Sequence, residues 1–297
     1  MIALLSAPSN LGLRPPQPTS VPGCAKAPEA LREAGLFRRF GELGAIDAGV
    51  VLPGRYVDDA ARGLVRNHGR IVEHARRLAE RIARLRAEGH VPLIVGGDCS
   101  LLVAVGLALR PAGRHGLVHL DGHTDFRHPG NATTCASLAG EDLAAVTGLH
   151  WPQIADIDGL GPYFQAADDV HAGCRDGDEH LAEVRGRLAM AIPASEIRRA
   201  GGAAVADRMR RAMDRPDLTG YWLHLDVDIL DPGVMPAVDS PDPGGLDADE
   251  LTQILVGLAP QAAGADVTIF DPELDPQGVY ARRLTEILVG GLGRLGG

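Results

Sequence analysis

The chain has 297 residues, 45% of them hydrophobic and only 4% aromatic. That is enough to bury a sizeable core of Val, Leu, Ile and Ala, and it argues against disorder. The net charge of −10 argues against a nucleic-acid binder, whose electrostatic footprint would be basic.

The N-terminus "MIALLSAPSN" starts as a strand and breaks at Pro8. It carries no basic segment, so it does not read as a signal peptide. "APEALREAGLFRRF" has helical spacing, with Pro28 in its first turn. Residues 57–89 form a long amphipathic stretch ended by Gly89. "HVPLIVGG" is a short continuous apolar run, as expected of a strand covered on both faces, and "LLVAVGLALR" follows as a helix.

Next come the strand and loop "HGLVHLDGHTD", the helix "LAGEDLAAVTGL" and a strand end at "VHAGCRD". "AMAIPASEI" reads as a short strand and turn, and "AVADRMRRAMDRP" as a helix. "GYWLHLDVDILDP" is a strand broken at Pro232. "DADELTQILVGLAP" is a helix with Asp247 or Asp249 as N-cap. "ADVTIFDP" is a strand, and "VYARRLTEILVGGLG" a final helix. The alternation predicts an α/β fold with one doubly wound, mostly parallel sheet. No window approaches 18 apolar residues, so no membrane span is expected. Cys24, Cys99, Cys135 and Cys174 show no CxxC spacing and form no disulfide framework. The expectation is a reduced, cytoplasmic protein.

Two strands end in carboxylates. His119, Asp121, His123 and Asp125 share one parity in "HLDGHTD", and His224, Asp226 and Asp228 share one in "HLDVDILD". Side chains two apart on a strand project to one face, and open parallel sheets bind ligands at the carboxyl ends of their strands. Four aspartates in one pocket repel: each pair at about 4 Å costs about 4 kcal/mol at an effective dielectric near 20. Divalent cations relieve that repulsion, and an oxygen-rich set with His suits Mn²⁺, with Zn²⁺ or Fe²⁺ as alternatives. A third segment, "VGGDCSLLVA", puts Cys99 at a strand–helix turn, where a thiol can be packing, nucleophile or metal ligand.

These residues resemble the ureohydrolase (arginase/agmatinase/formiminoglutamase) family. "GGDCS" (96–100), "DGHTD" (121–125) and "HLDVDILDP" (224–232) match its three marker segments in order and spacing, and "APEALREAGL", "GCRDGD" and "DPELDP" are weaker matches along the chain. The resemblance implies a three-layer α/β/α fold over 1–297 as one catalytic domain, and two Mn²⁺ per chain. It implies a metal-bridging hydroxide as nucleophile and a trimeric or hexameric homo-oligomer. Carried over, Asp121 and Asp226 would bridge the metals. His123 and Asp228 would complete the second metal, and Asp125 and Cys99 the first. Asp125 would also accept a proton, and Asp178 would hold the substrate's amino group.

Three positions depart from the family pattern. Cys99 stands where the first-metal His is expected. The catalytic-loop His of arginases falls at Ala139 or a neighbour, leaving His128 as the nearest spare imidazole for a catalytic role. The guanidinium-binding Glu falls at Ile269, with Glu273 just past Pro272. A Cys99 thiolate would add a negative charge and favour Zn²⁺ over Mn²⁺, whereas a neutral thiol would leave the first site weak and allow single-metal occupancy. The expected activity is metal-dependent hydrolysis of a linear C–N bond in an arginine-like, N-hydroxyarginine-like or formimino small molecule. The alternatives are a degenerate member that binds metal or ligand without catalysis, and an amidinotransferase-like enzyme with Cys99 as nucleophile.

Overall fold

A computed structural model describes residues 1–297. Eight strands form one sheet: β1 (Ile2–Ala7), β2 (Ile46–Val50), β3 (Val91–Gly96), β4 (His115–Leu120), β5 (Asp169–Ala172), β6 (Met190–Ile192), β7 (Gly220–Asp226) and β8 (Ala262–Thr268). Their order is β2-β1-β3-β8-β7-β4-β5-β6, and every neighbouring pair is parallel. Parallel pairing requires crossovers, and helices supply them on both faces.

The two faces bury separate cores. Leu4, Leu93, Val95, Val118, Leu223, Leu225 and Val267 pack against helices 202–213, 248–258 and 279–292. Leu5, Ile94, Leu117 and Trp222 pack against helices 68–87, 101–109 and 142–146. Alternate residues of each strand therefore serve opposite layers, as the pleat requires.

Several sequence expectations shift locally. The helical stretch near the N-terminus is two helices, Ala27–Glu33 and Leu36–Glu42. Gly35 at φ 93° interrupts them in a conformation that suits glycine. The long amphipathic stretch is helical only over His68–Ala87. Asp247, not Asp249, is the N-cap of helix Ala248–Leu258, in a reciprocal capping box with Glu250. Strand β2 carries no apolar run because it is an exposed edge, so periodicity did not mark it.

β4 and β7 are adjacent, and β3 lies two strands from β7, with only β8 between them. Their carboxyl ends thus bring the three marker segments to one edge of the sheet.

Candidate active site

The turn after β3 is built by backbone closeness. A Cβ on Gly97 would lie 2.3 Å from the Ser9 carbonyl oxygen, so only glycine fits beside the loop after β1. Asp98 is wholly buried; its carboxylate accepts from Ser9 Oγ at 2.7 Å and from the Ser100 N–H at 2.9 Å. Asp98 therefore ties two strand ends together. This fixes Cys99, also wholly buried, with its Sγ donating to Asp226 Oδ2 at 3.0 Å and lying 3.1 Å from Thr268 Oγ1. Burial first, then the carboxylates of Asp226 and Asp142, push this thiol well above its ordinary value. A nucleophilic cysteine needs the opposite shift and access to substrate.

The loop after β4 folds back on the turn after β7. The Gly122 N–H donates to Asp228 Oδ1 at 3.0 Å, and a Cβ at Gly122 would lie 2.5 Å from the Asp228 carbonyl oxygen. The His123 N–H donates to Asp121 Oδ1 at 2.6 Å, and His123 Nδ1 lies 2.9 Å from Asp228 Oδ2. The Asp228 N–H donates to Asp226 Oδ1 at 2.8 Å. Asp125 sits at φ 45°, a left-handed turn that Asp tolerates better than most residues. One oxygen or nitrogen each from Asp121, His123 and Asp125 falls within 4.8 Å of the others, as does one oxygen each from Asp121, Asp226 and Asp228.

Burial first, then repulsion from neighbouring aspartates, pushes Asp121 and Asp226 well above the ordinary carboxylate range. Burial would lower His123, but the hydrogen bond and charge of Asp228 outweigh it and hold the ring at about 10. The same pairing brings Asp228 below its ordinary value against the effect of burial. Asp121 Oδ2 is buried with no hydrogen-bond partner. Crowded carboxylates, an imidazole and an orphaned oxygen together fit divalent cations.

A cavity of about 440 Å³ opens over this floor. Its lining carries seven acidic side chains, Asp125, Asp178, Glu179, Asp226, Asp228, Asp239 and Asp242, against two arginines, Arg14 and Arg127. Such a cavity attracts cations. Asp178 lines it but is held in place: its carboxylate accepts from Thr124 N–H at 2.9 Å, Thr124 Oγ1 at 2.7 Å and His180 N–H at 2.9 Å.

His128 is not brought to the cavity. It is buried, with Nδ1 accepting from the Gly130 N–H at 3.0 Å and Nε2 lying 3.2 Å from Glu183. The expectation that it serves as the spare catalytic imidazole is corrected by that packing: both ring nitrogens are already engaged. His180, which belongs to no marker segment, lines the cavity instead. Ala139 and Ile269 also line it. Glu273 lies on the surface, paired with Lys26.

Sequence reasoning also passed over Arg175. Its guanidinium donates to the carbonyl oxygens of Asp228 at 3.0 Å and Asp242 at 2.5 Å, pinning the turn that carries Asp228. No spacing rule links Arg175 to residues more than fifty positions away.

A sequence profile described as Arginase family matches residues 1–290. The chain belongs to the arginase family. It is similar to the arginase of Brucella melitensis, 31% identical over 96% of this chain and 95% of that protein. It is likewise similar to the arginase of Agrobacterium fabrum, 29% identical over 98% and 90% of the two chains. The solved arginase of Bacillus caldovelox superposes with a TM-score of 0.87 at 25% identity, covering 98% and 97% of the two chains. Family members are hydrolases acting on C–N bonds in linear amidines, and the single parallel sheet with helices on both faces is shared with that solved arginase. No helix of this chain is long and apolar enough to cross a membrane.

Proposed function

We propose that this chain is a metal-dependent hydrolase of a cationic guanidino or amidino small molecule, arginine-like or formimino. One observation carries the reading: the acidic cavity closes on a floor where His123 meets Asp121 and Asp228, and Asp228 in turn bonds Asp226. Asp121, His123, Asp125, Asp226 and Asp228 would hold divalent cations, Mn²⁺ by family and Zn²⁺ as the alternative. Bound there, cations supply Lewis acidity and lower the pKa of a water.

The chain's own groups do the rest. The acidic lining draws in the amidinium group and holds it against the floor. Arg14 and Arg127 offer guanidinium groups to a substrate carboxylate at the other end. Asp178 and Glu179 stand where a substrate ammonium would be neutralised. As water adds to the amidine carbon, Asp125 accepts its proton. His180 then passes a proton to the leaving nitrogen as the C–N bond breaks. This work is assigned to one catalytic domain spanning 1–297, acting in the cytoplasm as a homo-oligomer, trimer or hexamer by family.

A second reading has one observation in its favour. Ala139 and Ile269 face the cavity with no polar group, where arginases carry substrate-handling residues. A member that binds metal or ligand without catalysis would look like this. Turnover of a guanidino and formimino panel by protein loaded with Mn²⁺ or Zn²⁺ separates the two. Measurable hydrolysis of any member is expected; its absence in folded, metal-loaded protein leaves the binding reading.

A further inference from the structure

Behind the cavity floor lies a polar layer that the proposed hydrolysis does not use. His171, His119, His224 and Asp266 stand in register across β5, β4, β7 and β8. All four are wholly buried. They occupy the face of the sheet that carries Leu117 and Trp222, where apolar side chains would be expected. Asp142, the first residue of helix Asp142–Val146, is wholly buried against them.

The remote edges of two rings are held. His224 Nδ1 lies 2.6 Å from Asp266 Oδ2, and Asp266 Oδ1 accepts from Trp222 Nε1 at 2.6 Å. His119 Nδ1 lies 3.0 Å from His171 Nδ1. A carboxylate behind Nδ1 fixes the tautomer and leaves the Nε2 lone pair free, the arrangement seen behind metal-ligating histidines. With His119 as donor to His171, its Nε2 is free as well.

Those free edges converge. His119 Nε2 is 3.5 Å from Asp142 Oδ1 and 3.7 Å from Asp121 Oδ2, and His224 Nε2 is 3.6 Å from Asp142 Oδ2. His119 Nε2, His224 Nε2, Asp121 Oδ2 and Asp142 Oδ2 are buried, and none has a hydrogen-bond partner. Buried polar atoms without partners are costly, so four in one place need an explanation. The spacings are too long for direct hydrogen bonds. One ligand atom each from His119, Asp121 and His224 lies within 4.8 Å of the others, and Asp142 lies within the same reach of His224. A water offers two hydrogens and would face four acceptors. A cation held by His119, His224 and Asp121 engages three of them at once, with Asp142 beside the two imidazoles.

We propose that His119, His224 and Asp121, with Asp142 against the two imidazoles, form a metal site one register inward of the carboxylate floor, for a divalent transition ion of the Zn²⁺ or Fe²⁺ class. Two imidazoles with two carboxylates suit that class and disfavour Mg²⁺. The site takes over from the position that lost its histidine: Cys99 gives its hydrogen to Asp226, while the two imidazoles bring nitrogen ligands from the sheet side. Asp121 belongs to both the floor and the inner site, and Asp226, lining the cavity, marks the way in.

The test reads ligation, not turnover, so it stands whether or not an amidine is hydrolysed. Metal-stripped protein labelled with ¹⁵N-histidine is titrated with Zn²⁺ alone and followed by NMR of the imidazole nitrogens, assigned through His119→Gln and His224→Gln. The Nε2 signals of His119 and His224 are expected to move together to the metal-bound range while His224 Nδ1 stays protonated. Zinc content is expected to fall by one ion per chain in Asp142→Asn and His224→Gln, and to stay unchanged in Cys99→Ala. Movement of His123 alone, or imidazolium signals at His119 and His224 that ignore Zn²⁺, overturns the proposal. So does loss of an ion in Cys99→Ala with none lost in Asp142→Asn. Should the buried variants fail to fold, the titration of the wild-type protein decides by the number of imidazoles that shift: more than one supports the inner site, and one overturns it.

Discussion

At the scale of single residues, two histidines separate proximity in sequence from proximity in space. His128 lies three positions past Asp125, yet its ring turns to Glu183 and Gly130. His180 lies more than fifty positions away and lines the cavity. His180→Ala is expected to lower kcat by about 10²-fold, the usual share of one acid–base group, with metal content unchanged. His128→Ala is expected to leave kcat alone and to cost about 2 kcal/mol of stability, because its contacts with Gly130 and Glu183 are both lost. Steady-state turnover and denaturant unfolding on the same two variants check both. The carboxylates were legible because their spacing follows the strand period. His180 was not, because the loop that carries it obeys no period.

At the scale of elements, the turn after β3 shows how a short motif acts as architecture. Gly97 leaves room for the Ser9 backbone, and Asp98 bonds Ser9 and Ser100. Gly97→Ala is expected to cost about 3 kcal/mol or more, because the clash is with backbone that cannot rotate away. A fall in the unfolding midpoint measures it; an unchanged midpoint would show that the two loops can part freely. Ile269 sits at φ 72°, strained for a β-branched residue, and its N–H donates to the Gly97 carbonyl at 2.7 Å. Most strands and helices were readable from apolar runs and turn residues. Edge strand β2 and the break at Gly35 were not, since each depends on what packs beside it.

At the scale of the whole molecule, the sheet gathers protons as well as carboxylates. Asp121 and Asp226 are raised, and His123 is held at about 10. A raised folded value means that the native state binds protons more tightly than the unfolded chain, so stability falls as pH rises. In metal-stripped protein that loss should begin near the unfolded carboxylate value of about 4 and continue toward the His123 value of about 10. Cations reverse the slope, because their ligands must shed protons to bind. Metal affinity is therefore expected to increase with pH and binding to release protons. Calorimetry in buffers of different ionisation enthalpy reads this directly, and a flat affinity with no proton release would contradict it.

The sequence by itself determined the alternation of elements, the family and the carboxylates at two strand ends. Those depend on local periodicity and on short motifs, which a chain carries in its order of residues. Only the tertiary structure decided that Cys99 is a buried donor to Asp226, that His128 faces away, and that four strands align His171, His119, His224 and Asp266 in one row. Strand register sets which side chains meet across a sheet, and no spacing along the chain encodes it. The inner row of imidazoles follows from that register.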